Sequence, residues 1–155
     1  MPINPAVRRD LSRARIGHFA TTDGSQPSVV PVCFVVLGET VYQAIDAKPK
    51  HAAPARLRRV RNVQANPAAA LLVDHYQEDW SRLWWLLMRG EARVVDDVTE
   101  QRRAVAALRR KYVQYRTRTP LGPDALVIAL DIRSLSRWTS RPPGRQPAGR
   151  PARRR

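Results

Sequence analysis

The sequence predicts a mainly β fold with added α-helices, in which six antiparallel strands form a small barrel and the helices pack on its outside. Two observations support this prediction. Most of the apolar, β-branched runs follow one another across short turns, which is typical of antiparallel neighbours. The 155 residues, of which 43% are hydrophobic, suffice for one domain with a core but not for two of ordinary size. The predicted order is α-β-β-β-α-β-β-α-β, and nothing in the sequence suggests a βαβ nucleotide-binding fold with parallel strands.

The first third of the chain predicts one helix followed by a meander of three strands. In residues 5–15 the apolar side chains recur at helical spacing, and the segment IGHFATT then begins the first strand. An Asp-Gly turn leads to residues 28–36, SVVPVCFVV, and a break at residues 37–39 leads to VYQAI. Pro31 cannot donate a hydrogen bond to a neighbouring strand, so it requires a sheet edge, a bulge or a backbone that faces a ligand.

The middle of the chain predicts a helix and two strands. Residues 54–67 carry apolar residues three apart between two prolines, which predicts a basic surface helix. Residues 68–76 and 83–95 are apolar and predict two strands joined by the polar loop QEDWSR.

The last helix and strand follow. Asp97 and Glu100 have capping-box spacing, which predicts the start of a helix. One face of that helix is apolar and holds Ala104, Leu108, Tyr112 and Tyr115. Residues 124–132 predict a final strand that reaches toward Trp138.

The charge of the chain calls for an anionic partner. There are 28 basic and 13 acidic residues, a formal charge of +15. Residues 141–155 hold six arginines and no acid, so without them the chain has 22 bases against 13 acids, a charge of +9. We predict a domain at residues 1–140 and a disordered tail rich in arginine and proline at residues 141–155. Nucleic acid, an acidic membrane surface and a phosphorylated cofactor all suit this charge.

Several classes of site are disfavoured. Cys33 is the single cysteine, so no intramolecular disulfide can form, and we expect a buried, inert thiol there. The three histidines are far apart and lack metal-ligand spacing, so we predict neither a metal site nor a catalytic side chain. The N-terminus does not resemble a signal peptide and no apolar run is long enough to cross a bilayer, so we expect a cytoplasmic protein.

Three stretches together carry a family resemblance: VVPVCFVV at residues 29–36, AIDAKPK at residues 44–50, and NPAAALLVDHYQEDWSRLWWLLMRGEARVV at residues 66–95. They resemble the pyridoxamine-phosphate-oxidase-type, FMN-binding split β-barrel, and specifically its branch of deazaflavin-dependent oxidoreductases, which use coenzyme F-420. The resemblance covers residues 16–138, and DHYQEDWSRLWW is its most specific part.

The resemblance implies a homodimer with the cofactor in a groove at the subunit interface. The positions that match the family's cofactor site are Pro31, Val32, Cys33, Asp46, Lys48, Lys50, Trp80, Trp84, Trp85 and Trp138. The density of basic residues after them adds Arg56 and Arg59 to the predicted cofactor-binding residues. Trp84 is next to Trp85, and neighbours in a strand face opposite sides of the sheet, so at most one of them points into the barrel. The link HAAPAR after Lys50 and the arginine-rich tail depart from the family pattern.

The chemistry of the residues fits this interpretation. Coenzyme F-420 carries a phosphodiester and an acidic tail, to which basic side chains would donate charge-assisted hydrogen bonds. Five such side chains fall within residues 48–59, although a solvated helix face is the ordinary explanation of a charge run. Core packing is likewise the ordinary explanation of the tryptophans. Asp46 and Asp74 have the positions of carboxylates that accept from backbone donors, so we predict no catalytic role for either.

The sequence thus predicts an oxidoreductase that transfers a hydride from reduced coenzyme F-420 to a small conjugated or heteroaromatic substrate. One alternative keeps the fold and binds FMN, as an oxidase or a flavin reductase. Another is a deazaflavin-binding protein without turnover. Binding of nucleic acid by the arginine-rich tail is expected to be incidental, because no recognition helix or RNA-binding aromatic motif is present.

Overall fold

The computed structural model describes residues 3–46 and 53–140 of the chain. It contains three α-helices and seven strands in this part, with short 3-10 turns at Pro54–Arg56, Trp80–Arg82 and Val113–Tyr115. The helices and strands are α1 (Pro5–Arg13), β1 (Gly17–Thr22), β2 (Pro27–Val32), β3 (Val35–Leu37), β4 (Thr40–Ala44), α2 (Arg58–Ala65), β5 (Ala68–His75), β6 (Trp84–Val94), α3 (Val98–Lys111) and β7 (Val127–Thr139).

All seven strands form one curled sheet in the order β2-β1-β5-β6-β7-β4-β3, and every strand pair is antiparallel. The two edge strands, β2 and β3, are separated in sequence only by Cys33 and Phe34. Since three residue steps span at most about 11 Å, the two edges must approach each other at this point. The sheet therefore curls into a half-barrel, which confirms the predicted fold class.

The structure has seven strands where the sequence predicts six. The predicted strand at residues 28–36 is divided, because β2 pairs with β1 at one edge of the sheet and β3 pairs with β4 at the other. Pro31 lies in edge strand β2, which satisfies one of the three conditions predicted for it. The last strand begins at Val127 and continues to Thr139, beyond the predicted end, because the long strand β6 pairs with it over its whole length.

Two apolar clusters hold the fold together. The inside of the curled sheet is filled by Phe19, Leu71, Leu86 and Met88 and is covered by apolar residues of α1 and α2. The second cluster lies between α3 and the outer side of β4 and β7. The residues Ala104, Leu108, Tyr112 and Tyr115 are all buried there, as their helical spacing predicts.

The side chain of Tyr112 fixes the connection between the two edge strands. Its hydroxyl oxygen accepts a hydrogen bond from the backbone N–H of Phe34 at 3.0 Å. The same hydroxyl lies 2.9 Å from the carbonyl oxygen of Arg15 and 3.0 Å from that of Phe34, and it can donate its one proton to either. α3 is therefore joined to the point at which the sheet curls closed.

The start of α3 is only half of the predicted capping box. The Asp97 carboxylate accepts from the backbone N–H of Glu100 at 2.6 Å, as predicted. The Glu100 carboxylate instead accepts two hydrogen bonds from Arg93, at 2.7 and 3.0 Å, and one from the Tyr42 hydroxyl at 2.8 Å. These hydrogen bonds, above all those from Arg93, lower the pKa of Glu100. Glu100 thus joins α3 to β4 and β6.

No helix in the described ranges combines the length and the apolar character that a membrane span requires.

Candidate functional site

A groove of about 330 Å³ lies where the chain passes from β2 to β3. Its lining includes the side chains of Arg15, Ile16, Cys33, Tyr112, Gln114, Tyr115, Arg118 and Thr119. Cys33 is half-buried and lies between the two strands, so the sequence prediction of a buried thiol inside a strand is corrected. The pairing of β2 with β1 ends at Val32, so Cys33 is the first residue outside that strand pair, and its side chain lines the groove.

Tyr112, which caps the C-terminal end of α3, and Tyr115, on the 3-10 turn that follows, form one wall of this groove. The helix thus ends before these two tyrosines, which the sequence places on its apolar face. The rings of Tyr112 and Tyr115 lie 5.6 Å apart, and the guanidinium of Arg15 lies 4.5 Å above the Tyr112 ring. The Tyr115 side chain and Cys33 line the groove together, and each lies close enough to affect the other electrostatically. Burial, together with nearby Cys33 and Asp46, raises the pKa of Tyr115, so its hydroxyl keeps its proton at neutral pH.

Arg59 and Asp46 lie in the same region as Tyr115, within reach of its charge. Arg59 lies on α2 and is half-buried, and both Asp46 and Tyr115 act on its charge. Its Nε atom is buried and has no hydrogen-bond partner in the described part of the chain. Burial lowers the pKa of the Arg59 guanidinium, which nonetheless remains charged because an arginine starts from so high a value. A buried donor without an acceptor is costly, so this site suits a ligand that brings one.

Of the predicted site residues, Cys33 thus lines the first groove with Tyr115, and Asp46 and Arg59 lie within reach of the charge of Tyr115. Lys48 and Lys50 lie outside the described residues. Arg56 is exposed at the end of a 3-10 turn, and Val32 is buried in the core.

A second groove, of about 570 Å³, adjoins the first. The two share Arg15 and Ile16, and the second continues along His18, Asp74, His75 and Trp84. His18 Nδ1 lies 3.6 Å from Asp74 Oδ1, and the His75 ring stacks on the Trp84 ring with 5.9 Å between their centres. Together the grooves follow one end of the sheet under the C-terminal end of α1.

The tryptophans divide between the two sides of the sheet. Trp84 packs against the core inside the barrel, whereas its neighbour Trp85 points to the outer side, as strand geometry predicts. Trp85 pairs in register with Asp74 and with Trp138, which is 44% exposed. Trp80, on the loop before β6, is 67% exposed and makes no ring contact among the described aromatic pairs. Trp85 and Trp138 are therefore neighbours on adjacent strands, whereas Trp80 lies outside the sheet on the turn before β6.

The outer side of the sheet is apolar around the position of Pro31. Pro31, His18, Leu72 and Leu87 follow one another across β2, β1, β5 and β6 in register. In the next row, Val29 is 62% exposed. No helix of the described chain lies on this surface, which we call the outer sheet face.

Sequence reasoning missed Arg15, Tyr112, Tyr115 and Arg118 as groove residues. The helical spacing of the two tyrosines correctly predicts that they are buried, but it gives no sign of what their hydroxyl groups contact. The two arginines belong to the many basic residues that no motif distinguishes.

Comparison with known proteins agrees with the described fold. The family model described as Pyridoxamine 5'-phosphate oxidase matches residues 5–137. Among solved structures, conserved hypothetical protein Rv2991 from Mycobacterium tuberculosis is similar with a TM-score of 0.71 and 15% identity, over 97% of this chain and 95% of that one. The heme storage protein HutZ from Vibrio cholerae has a TM-score of 0.67 and 16% identity, over 90% of this chain and 95% of its own.

A FAD-binding protein from Mesorhizobium loti is also similar, with a TM-score of 0.62 and 16% identity, over 88% of this chain and 95% of that one. At these identities the solved structures support the fold and not a particular ligand. No curated protein sequence matches this chain.

Proposed function

This chain belongs to the pyridoxamine 5'-phosphate oxidase family, and from that premise we propose that it is an oxidoreductase that binds reduced coenzyme F-420. The acceptor of the hydride is a small conjugated or heteroaromatic molecule. The ring system of the cofactor would lie in the first groove near Cys33, and its phosphate would extend beyond the residues that line this groove, toward Arg59.

The observation that carries the proposal is the state of Arg59. Its guanidinium is half-buried, and its Nε has no acceptor among the described residues. A phosphate oxygen would supply that acceptor, in a charge-assisted hydrogen bond about twice as strong as a neutral one. Lys48 and Lys50 come from the segment between Asp46 and α2, and we propose that they bind the same phosphate.

The number of bases around the grooves favours the deazaflavin over FMN. Arg15 and Arg118 line the first groove, Arg59 is near enough to Tyr115 to feel its charge, and Arg56 is exposed on the turn before α2. FMN offers one phosphate, whereas coenzyme F-420 offers a phosphodiester and further carboxylates along its tail. A string of cations suits an extended anion more than a compact one.

The coenzyme supplies the hydride when it is bound, so the protein has to bind the coenzyme, orient its ring toward the acceptor and exclude water from the site. Cys33 and Tyr115 form part of the groove wall, and burial keeps the Tyr115 hydroxyl neutral by raising its pKa. Tyr112 holds the Cys33–Phe34 connection in place and so fixes that wall. The proposal requires no catalytic side chain.

We also propose that the protein is a homodimer, in which the outer sheet face of one protomer packs against that of its partner. Val29, Pro31, Leu72 and Leu87 offer this face an apolar surface, and Trp85 and Trp138 continue it toward the grooves. Exposed apolar patches of this kind commonly mark interfaces between proteins. The cofactor grooves would then border the interface.

Flavin binding is the second candidate function, because one of the similar structures is named as a FAD-binding protein. A third is storage of a bound cofactor without turnover, since another similar protein is named for heme storage. These candidates differ in measurable ways. A flavin-binding protein would prefer FMN or FAD, and a storage protein would bind its ligand but would not oxidise reduced F-420 with any acceptor.

The direct test of the site is Arg59→Gln, compared with Arg61→Gln on an exposed position of the same helix. Fluorescence titration with coenzyme F-420 should give about ten-fold weaker binding for Arg59→Gln, because a charge-assisted hydrogen bond is lost. Arg61→Gln should bind within about two-fold of the original protein. Equal affinities for the two variants would place the phosphate elsewhere.

Turnover is tested separately, by following the absorbance of reduced F-420 with a panel of quinones and nitroaromatic compounds. The proposal predicts oxidation that depends on both protein and acceptor. Tight binding without oxidation by any acceptor would favour the storage function.

A further inference from the structure

A third groove lies at β3, between α1 and α3. It has a volume of about 370 Å³, within the range of small-molecule sites. Its floor is apolar and consists of Leu11, Val36, Leu37 and Ala107. Because α1 and α3 both contact β3 from their own sides, the short strand forms the base of the groove.

Three bases surround this floor. Arg8 comes from α1, and Arg110 and Lys111 come from the end of α3. None of the described residues that line the groove is acidic. The groove therefore combines an apolar base with a rim of one charge sign.

Lys111 is the most unusual of the three. Its Nζ donates to the carbonyl oxygen of Leu11 at 3.1 Å and lies 4.1 Å from the centre of the Phe34 ring. Burial, and secondarily the charge of Arg15, lowers the pKa of Lys111 to about 8. Within residues 3–46 and 53–140, neither Lys111 nor Arg110 nor Arg8 forms an ion pair with a carboxylate. A half-buried ammonium held by one carbonyl and an aromatic face is incompletely compensated.

We propose that this groove binds a small carboxylate with an apolar body, whose anionic end contacts Lys111 and Arg110 and whose body lies on Leu11, Val36 and Leu37. The charge of the rim selects the sign of the ligand, and the apolar floor selects an amphipathic molecule over a free inorganic anion. The site is separate from the grooves assigned to the cofactor and does not depend on that assignment.

A series of four ligands tests the proposal by isothermal titration calorimetry on the complete chain. Octanoate has the required charge and body, octylammonium keeps the body and reverses the charge, and acetate and inorganic phosphate keep the charge without the body. We expect saturable binding of octanoate alone. Equal binding of octanoate and octylammonium, or no binding of octanoate, would overturn the proposal.

Three variants test whether octanoate binds in this groove. Lys111→Met keeps the length of the side chain without its charge and should weaken octanoate binding about ten-fold. Arg110→Gln, at an exposed position that should not affect folding, should weaken it about three-fold or more. Arg102→Gln, on an exposed part of the same helix outside the groove, should leave it unchanged. Octanoate affinity that is equal in all three variants would contradict the assigned site, whether or not F-420 binds elsewhere.

Discussion

The hydroxyl group of Tyr112 lies within hydrogen-bond distance of three backbone groups of two residues, Phe34 and Arg15, both far from Tyr112 in sequence. It accepts from the N–H of Phe34, and it lies within hydrogen-bond distance of the carbonyl oxygens of Phe34 and Arg15. Burial raises the pKa of Tyr112 to about 12, so the hydroxyl stays protonated across the neutral range. At the scale of one residue, this is the contact on which the wall of the candidate site depends.

We predict that Tyr112→Phe lowers the free energy of unfolding by about 2 kcal/mol, because the buried N–H of Phe34 loses its acceptor. Urea denaturation measures the change. The matched control is Tyr76→Phe, since the Tyr76 ring is 63% exposed, and its effect should stay within about 0.5 kcal/mol. A small effect for both variants would mean that another group or a water molecule satisfies Phe34.

The residues of the candidate site could be predicted from sequence only in part. The resemblance selects Cys33 and Asp46, and the run of bases selects Arg59. Cys33 lines the groove with Tyr115, and the other two lie within reach of the charge of Tyr115. Neither signal could select Tyr115, because helical periodicity reports which face of a helix is buried and not what a hydroxyl group contacts. For the same reason, Arg15 is indistinguishable in sequence from the arginines that lie on the open surface.

At the scale of elements, the N-terminus of α3 depends on one side chain. Asp97 accepts the backbone N–H of Glu100, while Glu100 itself is held by Arg93, which also donates from Nε to Asp131 at 3.1 Å. The sequence pattern predicts a reciprocal capping box. The bidentate hydrogen bond of Arg93 to the Glu100 carboxylate is stronger than a single bond from a backbone N–H. The Glu100 carboxylate is therefore held by Arg93 and does not complete the capping box at the backbone N–H of Asp97.

Asp97→Ala should therefore destabilise the protein by about 1 kcal/mol, the usual cost of losing an N-terminal cap. Thermal unfolding followed by circular dichroism gives the change. Asp96→Ala alters the exposed neighbouring carboxylate and should have little effect, since the described hydrogen bonds at this helix end come from Asp97. The cap assignment is wrong if the two substitutions cost the same.

The strands illustrate what apolar pattern does and does not predict. The runs at β1, β4, β5 and β6 are predicted to within about two residues, since alternation and turn residues bound them. The run at residues 28–36 is continuous in sequence, yet it is divided between the two edges of the sheet. That division is a consequence of closing the sheet, which depends on contacts with Tyr112, 78 positions away from Phe34.

At the scale of the whole molecule, the outer sheet face leaves Val29 and Trp138 exposed beside half-buried Leu72, Leu87 and Trp85. Packing two such faces together would remove this apolar surface from water and stabilise a dimer. The same packing would bring a second chain to the edge of the cofactor grooves.

If this face is the interface, light scattering after size-exclusion chromatography will give twice the mass of one chain. Val29→Glu should shift the protein toward the monomer, because a carboxylate would be buried without a partner. Val113→Glu is the control, since Val113 is 50% exposed on the turn after α3, away from the sheet. A monomeric original protein, or a Val29→Glu variant that remains dimeric, would rule out this interface.

The central claim is that the cluster of Cys33, Asp46, Tyr115 and Arg59 belongs to a site for coenzyme F-420. Parallel fluorescence titrations of the purified protein with F-420 and with FMN, at physiological salt, test it most directly. We predict saturable binding of F-420 that is at least about ten-fold tighter than binding of FMN, because the extended anion meets more of the surrounding bases. Tighter binding of FMN, or saturable binding of neither compound, would contradict the claim.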